Sequence, residues 1–334
     1  MSVYPWQSAI LARISSQRAR LPHALLLHGN SGIGKFDFAQ SLAQSLLCLS
    51  PHADGEPCGT CASCSWYAQG NHPDFRLLTP EQDTDTESEA STSKKTTKKS
   101  QQISVAQVRE LAEFLSLSSH QSSGLRIVLI HPAEALNAAS ANALLKMLEE
   151  PPEGVVFILV SHQLKRLLPT IISRCHKIDM PMPEKSVALA WLQQQGLADA
   201  AARLDYAGGA PLSVMRTLEQ GVSSFNSELF LQGRKLDPFI AASAAVTQGM
   251  ELAIDSLQKW AFDLLSCLLV GKVRYHNQHA DALQALVKGV DLGLLLEFQR
   301  KLNEAKRSAQ HPLNNELQLE AIFLNYTQLF MKKN

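Results

Sequence analysis

The sequence predicts an α/β phosphate-loop domain followed by two helical domains, and three observations carry that prediction. Short apolar runs alternate with helical patterns over about the first 170 residues. Within them, Gly29-Asn30-Ser31-Gly32-Ile33-Gly34-Lys35 fits G-x-x-x-x-G-K between a strand candidate and a helix candidate. Beyond about residue 170 the strand signals fade and amphipathic helical patterns take over.

Taken in order, Leu25 to Leu27 form a first strand candidate, and Phe36 to Leu49 reads as a helix with Phe38, Ala39, Leu42, Leu46 and Leu47 on its apolar face. Asp74 to Leu78 is a second strand. Residues 80–102 are polar and of low complexity, with acidic residues first and then a Ser/Thr/Lys run containing Lys94, Lys95, Lys98 and Lys99. That stretch offers no apolar face and reads as a disordered loop. Ser104 to Leu115 is helical, Ile127 to Ile130 a buried strand, and Ala138 to Glu150 a helix that Pro151 and Pro152 stop. Val155 to Val160 is a further strand. Strands alternating with helices imply a parallel sheet covered on both faces. Pro181 and Pro183 mark a connection, Ser186 to Gln195 a helix, and Gly208, Gly209 and Pro211 another break. Leu252 to Leu269, Ala280 to Val287 and Leu317 to Met331 are the clearest helices of the remainder.

Composition narrows the classes. Lys plus Arg equal Asp plus Glu at 31 each, which argues against a stand-alone DNA binder held by phosphate contacts. No apolar run approaches the roughly 18 residues that span a bilayer. No secretory signal is visible at the start, so a cytoplasmic protein with no membrane contact is expected.

The phosphate loop lacks its usual companions. Gly29, Gly32, Gly34 and Lys35 can cradle phosphates, but the next residue should be a Ser or Thr that ligates magnesium, and here it is Phe36. The strand Ile127 to Ile130 should end in carboxylates, and His131 and Pro132 follow instead. Glu134 reads as a solvated or capping carboxylate. These losses predict no ATP hydrolysis and leave ATP binding doubtful; a nucleotide-binding or weakly active ATPase subunit is the alternative.

Four of the six cysteines, Cys48, Cys58, Cys61 and Cys64, fall in a single stretch. Four thiolates can close a tetrahedral zinc site with no open position for catalysis, so a structural Zn²⁺ is expected, with His52 as a possible substitute ligand. An iron–sulfur cluster is the sharper alternative, although ferredoxin motifs place the fourth cysteine downstream, before a proline. A DNA-binding module built on the cysteines and the Lys94 to Lys99 run is a third reading.

Ser140-Ala141-Asn142-Ala143-Leu144-Leu145-Lys146-Met147-Leu148-Glu149-Glu150-Pro151-Pro152, followed after a strand by Ser173-Arg174-Cys175, resembles the clamp-loader branch of the AAA+ ATPases. The cysteine stretch, the broken nucleotide site, Tyr4-Pro5-Trp6 and His72-Pro73-Asp74 match the non-catalytic type of subunit in the loader of bacterial DNA polymerase III. The resemblance covers about the first 210 residues at motif level. It implies an AAA+ domain at 1–168 with a zinc module at 48–64, a small helical lid domain at 169–208 and an all-α collar domain for oligomerisation at 209–334. It makes Arg174 an arginine finger, acting in trans on the γ-phosphate held by a neighbour, and Cys175 a buried thiol. Active relatives carry a nucleotide-sensing arginine about where Leu212 stands, a third loss. The implied partners are loader ATPase subunits of the gamma/tau type and the delta subunit, with the sliding clamp and primer-template DNA reached through the complex. The implied place is the replisome at the nucleoid, inside a DNA-directed DNA polymerase holoenzyme.

Overall fold

The structure is a computed structural model that describes residues 3–80, 102–116, 124–219, 227–308 and 314–330. The polar stretch expected to be a loop, with its lysine run, lies outside the described residues apart from its two ends. The chain divides into two compact units, Met1–Val187 and Ala188–Asn334.

The first unit runs α1 (Ser8–Ser16), β1 (Ala24–His28), α2 (Lys35–Leu47), α3 (Ala62–Ala68), β2 (Phe75–Leu78), α4 (Val105–Ser116), β3 (Arg126–Ile130), α5 (Ala138–Glu149), β4 (Val155–Ser161), α6 (Pro169–Arg174) and β5 (His176–Asp179). The five strands form one sheet in the order β2-β3-β4-β1-β5, and every pairing is parallel. Side chains alternate across a strand, so one apolar run serves two cores. Leu25, Leu27, Ile127, Leu129, Ile158 and Val160 pack under α1 and α2, with Leu11, Phe38 and Leu42 facing them. Leu26, Val128, Ile130, Phe157 and Leu159 pack against Val108 and Leu111 of α4 and Leu144 and Leu148 of α5. That double coverage is why β3 and β4 are buried at every residue.

One strand departs from expectation. β5 lies beyond the point where strand signals fade, and it pairs with β1 from Leu25 beside His176 to His28 beside Asp179. His176, Lys177 and Asp179 are exposed and only Ile178 is buried, so this edge strand carries almost no apolar signal. The sheet therefore extends past residue 168, and the first compact unit reaches Val187.

The division falls within α7 (Lys185–Gln194), and the second unit continues with α8 (Ala200–Tyr206), α9 (Pro211–Glu219), α10 (Pro238–Gln248), α11 (Met250–Val270), α12 (Ala280–Val287), α13 (Leu292–Ser308) and α14 (Asn315–Gln328). It holds two apolar clusters. Ala188, Leu192, Ala200, Leu204 and Val214 join α7, α8 and α9. A larger cluster is centred on Trp260, whose indole N–H donates to the Tyr326 hydroxyl at 3.0 Å. Among the described residues no helix is long and apolar enough to cross a membrane.

Candidate functional site

The phosphate loop sits where β1 gives way to α2. Its first glycine is required by space as well as by backbone angle: φ is +147°, and a Cβ on Gly29 would come 2.3 Å from the carbonyl oxygen of Met180. Gly34, at φ 83°, starts α2. The amino-terminal segment braces the loop from outside. Trp6 Nε1 donates to Ile33 O at 3.0 Å, and Gln7 Nε2 donates to Ile33 O at 2.8 Å and to Gly34 O at 3.0 Å.

Inside the loop, Lys35 is buried and its ammonium donates to the loop's own carbonyls, Gly29 O at 2.8 Å and Asn30 O. Burial lowers its pKa from 10.5 to about 8, and the nearby Glu134 carboxylate offsets part of that shift. The Phe36 ring stacks on His131, centroids 4.3 Å apart, and His131 Nε2 lies 3.3 Å from His162 Nε2. Glu134 Oε1 accepts the His162 backbone N–H at 2.9 Å. Aromatic rings thus stand where a magnesium ion needs a hydroxyl and a carboxylate, and the lysine is engaged with the loop. These residues do not fit a magnesium nucleotide. Glu134 was expected to be solvated or capping; it is half-buried and caps the end of β4. His162, which closes this group, follows β4 without any motif to announce it.

The cysteine stretch hangs from the end of α2. Arg18 ties that end down, donating from Nη1 to Ser45 O at 3.2 Å and from Nη2 to Leu46 O and Cys48 O. Cys61 caps α3, accepting the Cys64 N–H at 3.4 Å, while Cys48 Sγ accepts the Cys58 N–H at 3.3 Å. The four sulfurs of Cys48, Cys58, Cys61 and Cys64 lie within 4.8 Å of one another, and none is in a disulfide. Cys48 Sγ is 3.5 Å from Cys58 Sγ and 3.9 Å from Cys61 Sγ. Tetrahedral zinc at its usual Zn–S distance separates sulfurs by about 3.8 Å, so the cluster fits such an ion. Backbone N–H groups of Thr60 and Cys61 hold the Cys58 thiol down to about 6, whereas burial raises the Cys48 and Cys64 thiols. His52 is exposed and outside the cluster. The module also connects to the sheet: Ser63 Oγ donates to Leu47 O at 2.7 Å and lies 2.9 Å from Nε2 of buried His72, whose Nδ1 accepts the Asp74 N–H.

Arg174 ends α6. It pairs with Glu149 at 2.6 Å and donates to Thr170 O at 3.0 Å. Glu149 ends α5, so the two motifs behind the clamp-loader resemblance meet at one surface ion pair. Cys175 beside it is buried, and burial pushes its thiol up to about 11. Arg174 precedes the start of β5, whereas the phosphate loop follows the end of β1. Since those strands are parallel, the two lie at opposite ends of the sheet, roughly 13 Å or more apart at 3.3 Å per residue. Leu212 is half-buried on α9.

A parallel sheet with a phosphate loop after its first strand, a four-thiol module and a helical remainder define a P-loop protein of the α/β class. The family model described as DNA polymerase III, delta subunit, matches residues 7–184. DNA polymerase III subunit delta' of Pseudomonas aeruginosa is 35% identical over 351 residues, covering 98% of this chain and 98% of that protein. The Escherichia coli subunit of the same name is 33% identical over 198 residues, 58% of this chain and 54% of that one. Among solved structures, a gamma subunit-related protein of DNA polymerase III from Thermotoga maritima aligns over 97% of this chain and 100% of its own, at 17% identity and a TM-score of 0.42, too weak a likeness to argue from. The chain belongs to the delta-prime family of DNA polymerase III subunits.

Proposed function

We propose that the chain is a non-hydrolysing assembly subunit of the clamp loader, supplying Arg174 to the nucleotide site of a neighbouring ATPase subunit. The observation that carries this is the position of Arg174 at the end of the sheet away from the chain's own phosphate loop. A guanidinium placed there serves a phosphate on another subunit, which it can bind with paired, permanently charged donors. The self-engaged Lys35 and the Phe36–His131 stack support the absence of hydrolysis.

On this reading the first unit is the AAA+ domain, the cluster joining α7, α8 and α9 is the lid, and the helices from α10 onward form the collar. Exposed Phe239 and Ile240 on α10 and Leu317 and Leu324 on α14 give the collar apolar surface for neighbouring subunits. The partners are loader ATPase subunits of the gamma/tau type and the delta subunit, and the work is placing a sliding clamp on primed DNA at the replisome. Zn²⁺ in the four-thiol module holds α3 and the end of α2 together and takes no part in chemistry.

The test is a reconstituted loader carrying Arg174→Ala. DNA-stimulated ATP turnover at the site it serves falls by about three orders of magnitude or more. Undiminished turnover rejects the assignment.

A further inference from the structure

The second unit contains a cleft of ≈ 780 Å³ lined by α8 and α9, by α11 and by the segment following α11. Its construction starts at Asp263, fully buried on α11. That carboxylate accepts the backbone N–H groups of Arg274, Tyr275 and His276 at 2.9, 3.1 and 2.8 Å, and His276 Nδ1 lies 2.8 Å away. Burial alone would raise the Asp263 pKa, but the His276 ring and the three N–H groups outweigh it and hold the group ionised. The segment after α11 is thereby folded back, making Tyr275 and His276 part of the cleft wall. His276 is 99% buried (1% exposed), and its Nε2 has no hydrogen-bond partner. With Nδ1–H given to Asp263, Nε2 is left as a buried acceptor.

Lys259 lies on the same wall. Its ammonium sits 3.8 Å from the Tyr206 ring centre and 6.0 Å from that of Tyr275, and among the described residues it makes no ion pair or hydrogen bond. The nearest carboxylate in sequence, Asp255 one turn earlier, is taken by Lys306. A half-buried cation against ring faces keeps its N–H donors free for an anion. Burial lowers its pKa, Asp255 opposes that shift and Lys306 adds to it, as expected of a charge without its own counter-ion. Arg203, exposed on α8, supplies a second cation, while Ala202, Val214 and Leu252 supply apolar wall.

We propose that this cleft is a small-molecule site, separate from the phosphate loop, that takes a phosphate ester of nucleotide size. The volume lies within the roughly 300–1,000 Å³ of such sites, whose walls are mainly apolar and aromatic with a few placed polar groups. Lys259 and Arg203 receive the phosphate, and the apolar and aromatic wall of Ala202, Val214, Leu252 and Tyr275 takes the rest of the ester, which inorganic phosphate and pyrophosphate lack. The proposal does not depend on the loader role.

The test is equilibrium binding of ATP, GTP, pyrophosphate and inorganic phosphate to the full chain, with Lys259→Gln, Lys259→Arg, Arg203→Gln and Lys35→Ala. A nucleotide binds; Lys259→Gln weakens it by about tenfold or more and Arg203→Gln by less, as for loss of one charge-assisted contact. Lys259→Arg retains binding and Lys35→Ala leaves it unchanged. If Lys259→Gln fails to fold, judged by its melting transition, Lys259→Arg and exposed Arg203→Gln still decide. The proposal is overturned by no nucleotide binding at millimolar concentration. Binding abolished by Lys35→Ala but not by the cleft variants, or pyrophosphate or phosphate binding as tightly as nucleotide, overturns it equally.

Discussion

At the phosphate loop the polar groups face one another: Lys35 donates to Gly29 and Asn30, Trp6 and Gln7 hold Ile33 and Gly34, and Phe36 lies on His131. At the far end of the same sheet Arg174 is about one-third exposed and tied by one surface ion pair and one bond to Thr170 O. In the first region the Lys35 ammonium is already bonded to the loop's own carbonyls, so a ligand that takes it displaces existing bonds. The second has a full charge that one competing anion can take. On the proposed function, a phosphate-loop fold loses its ligand site at one end and keeps a usable group at the other, across a sheet covered by apolar side chains on both faces.

Experiments can break or sharpen that contrast. The largest effect is the loss of turnover with Arg174→Ala in the assembled loader; Arg174→Lys fails to restore it, because an ammonium lacks the planar pair of donors. Next comes the module that braces the loop's helix. Cys61→Ser releases the bound metal, read by elemental analysis, and lowers the melting temperature by about ten degrees through local loss of the α2–α3 anchor.

A smaller effect tests whether Lys35 is closed in. Its folded pKa of about 8 lies below the ordinary 10.5, so between those values the unfolded chain binds more protons and stability rises with pH. The full swing is about 3 kcal/mol. Thermal melts between pH 8 and 10.5 show that rise in the native chain and not in Lys35→Met; an equal rise in both places the lysine in solvent. The smallest effect is at Glu149. Glu149→Gln removes an ion pair worth at most about 1 kcal/mol, so stability hardly changes and loader turnover rises by no more than about fivefold. A large fall instead makes Glu149 part of the site.

The legible parts of this molecule were those where one physical cause dominates. β1, β3 and β4 are announced by buried apolar runs, the phosphate loop by its glycines, and the four-thiol cluster by its close cysteine spacing. β5 was not legible because an edge strand with one buried residue, Ile178, has no pattern to show. His162 and the Asp263–His276 pair were missed for another reason. Each depends on two distant segments meeting, and 13 residues separate that buried pair without any periodicity to suggest contact. Tyr4-Pro5-Trp6 carried a resemblance, but the bond by which Trp6 holds Ile33 is visible only in three dimensions.

The strand order has a consequence in time. β1 leaves the ribosome early, yet its neighbours are β4 and β5, whose last pairing residue is Asp179, opposite His28. At about 5–20 residues per second, the strand that launches the phosphate loop waits roughly eight to thirty seconds for both partners. Until then its leucines have only local helices to shelter them, and long-range parallel pairing is slow to close. The inconspicuous fifth strand is therefore the step that completes the sheet's centre, and a chain cut at residue 168 leaves β1 as an open edge.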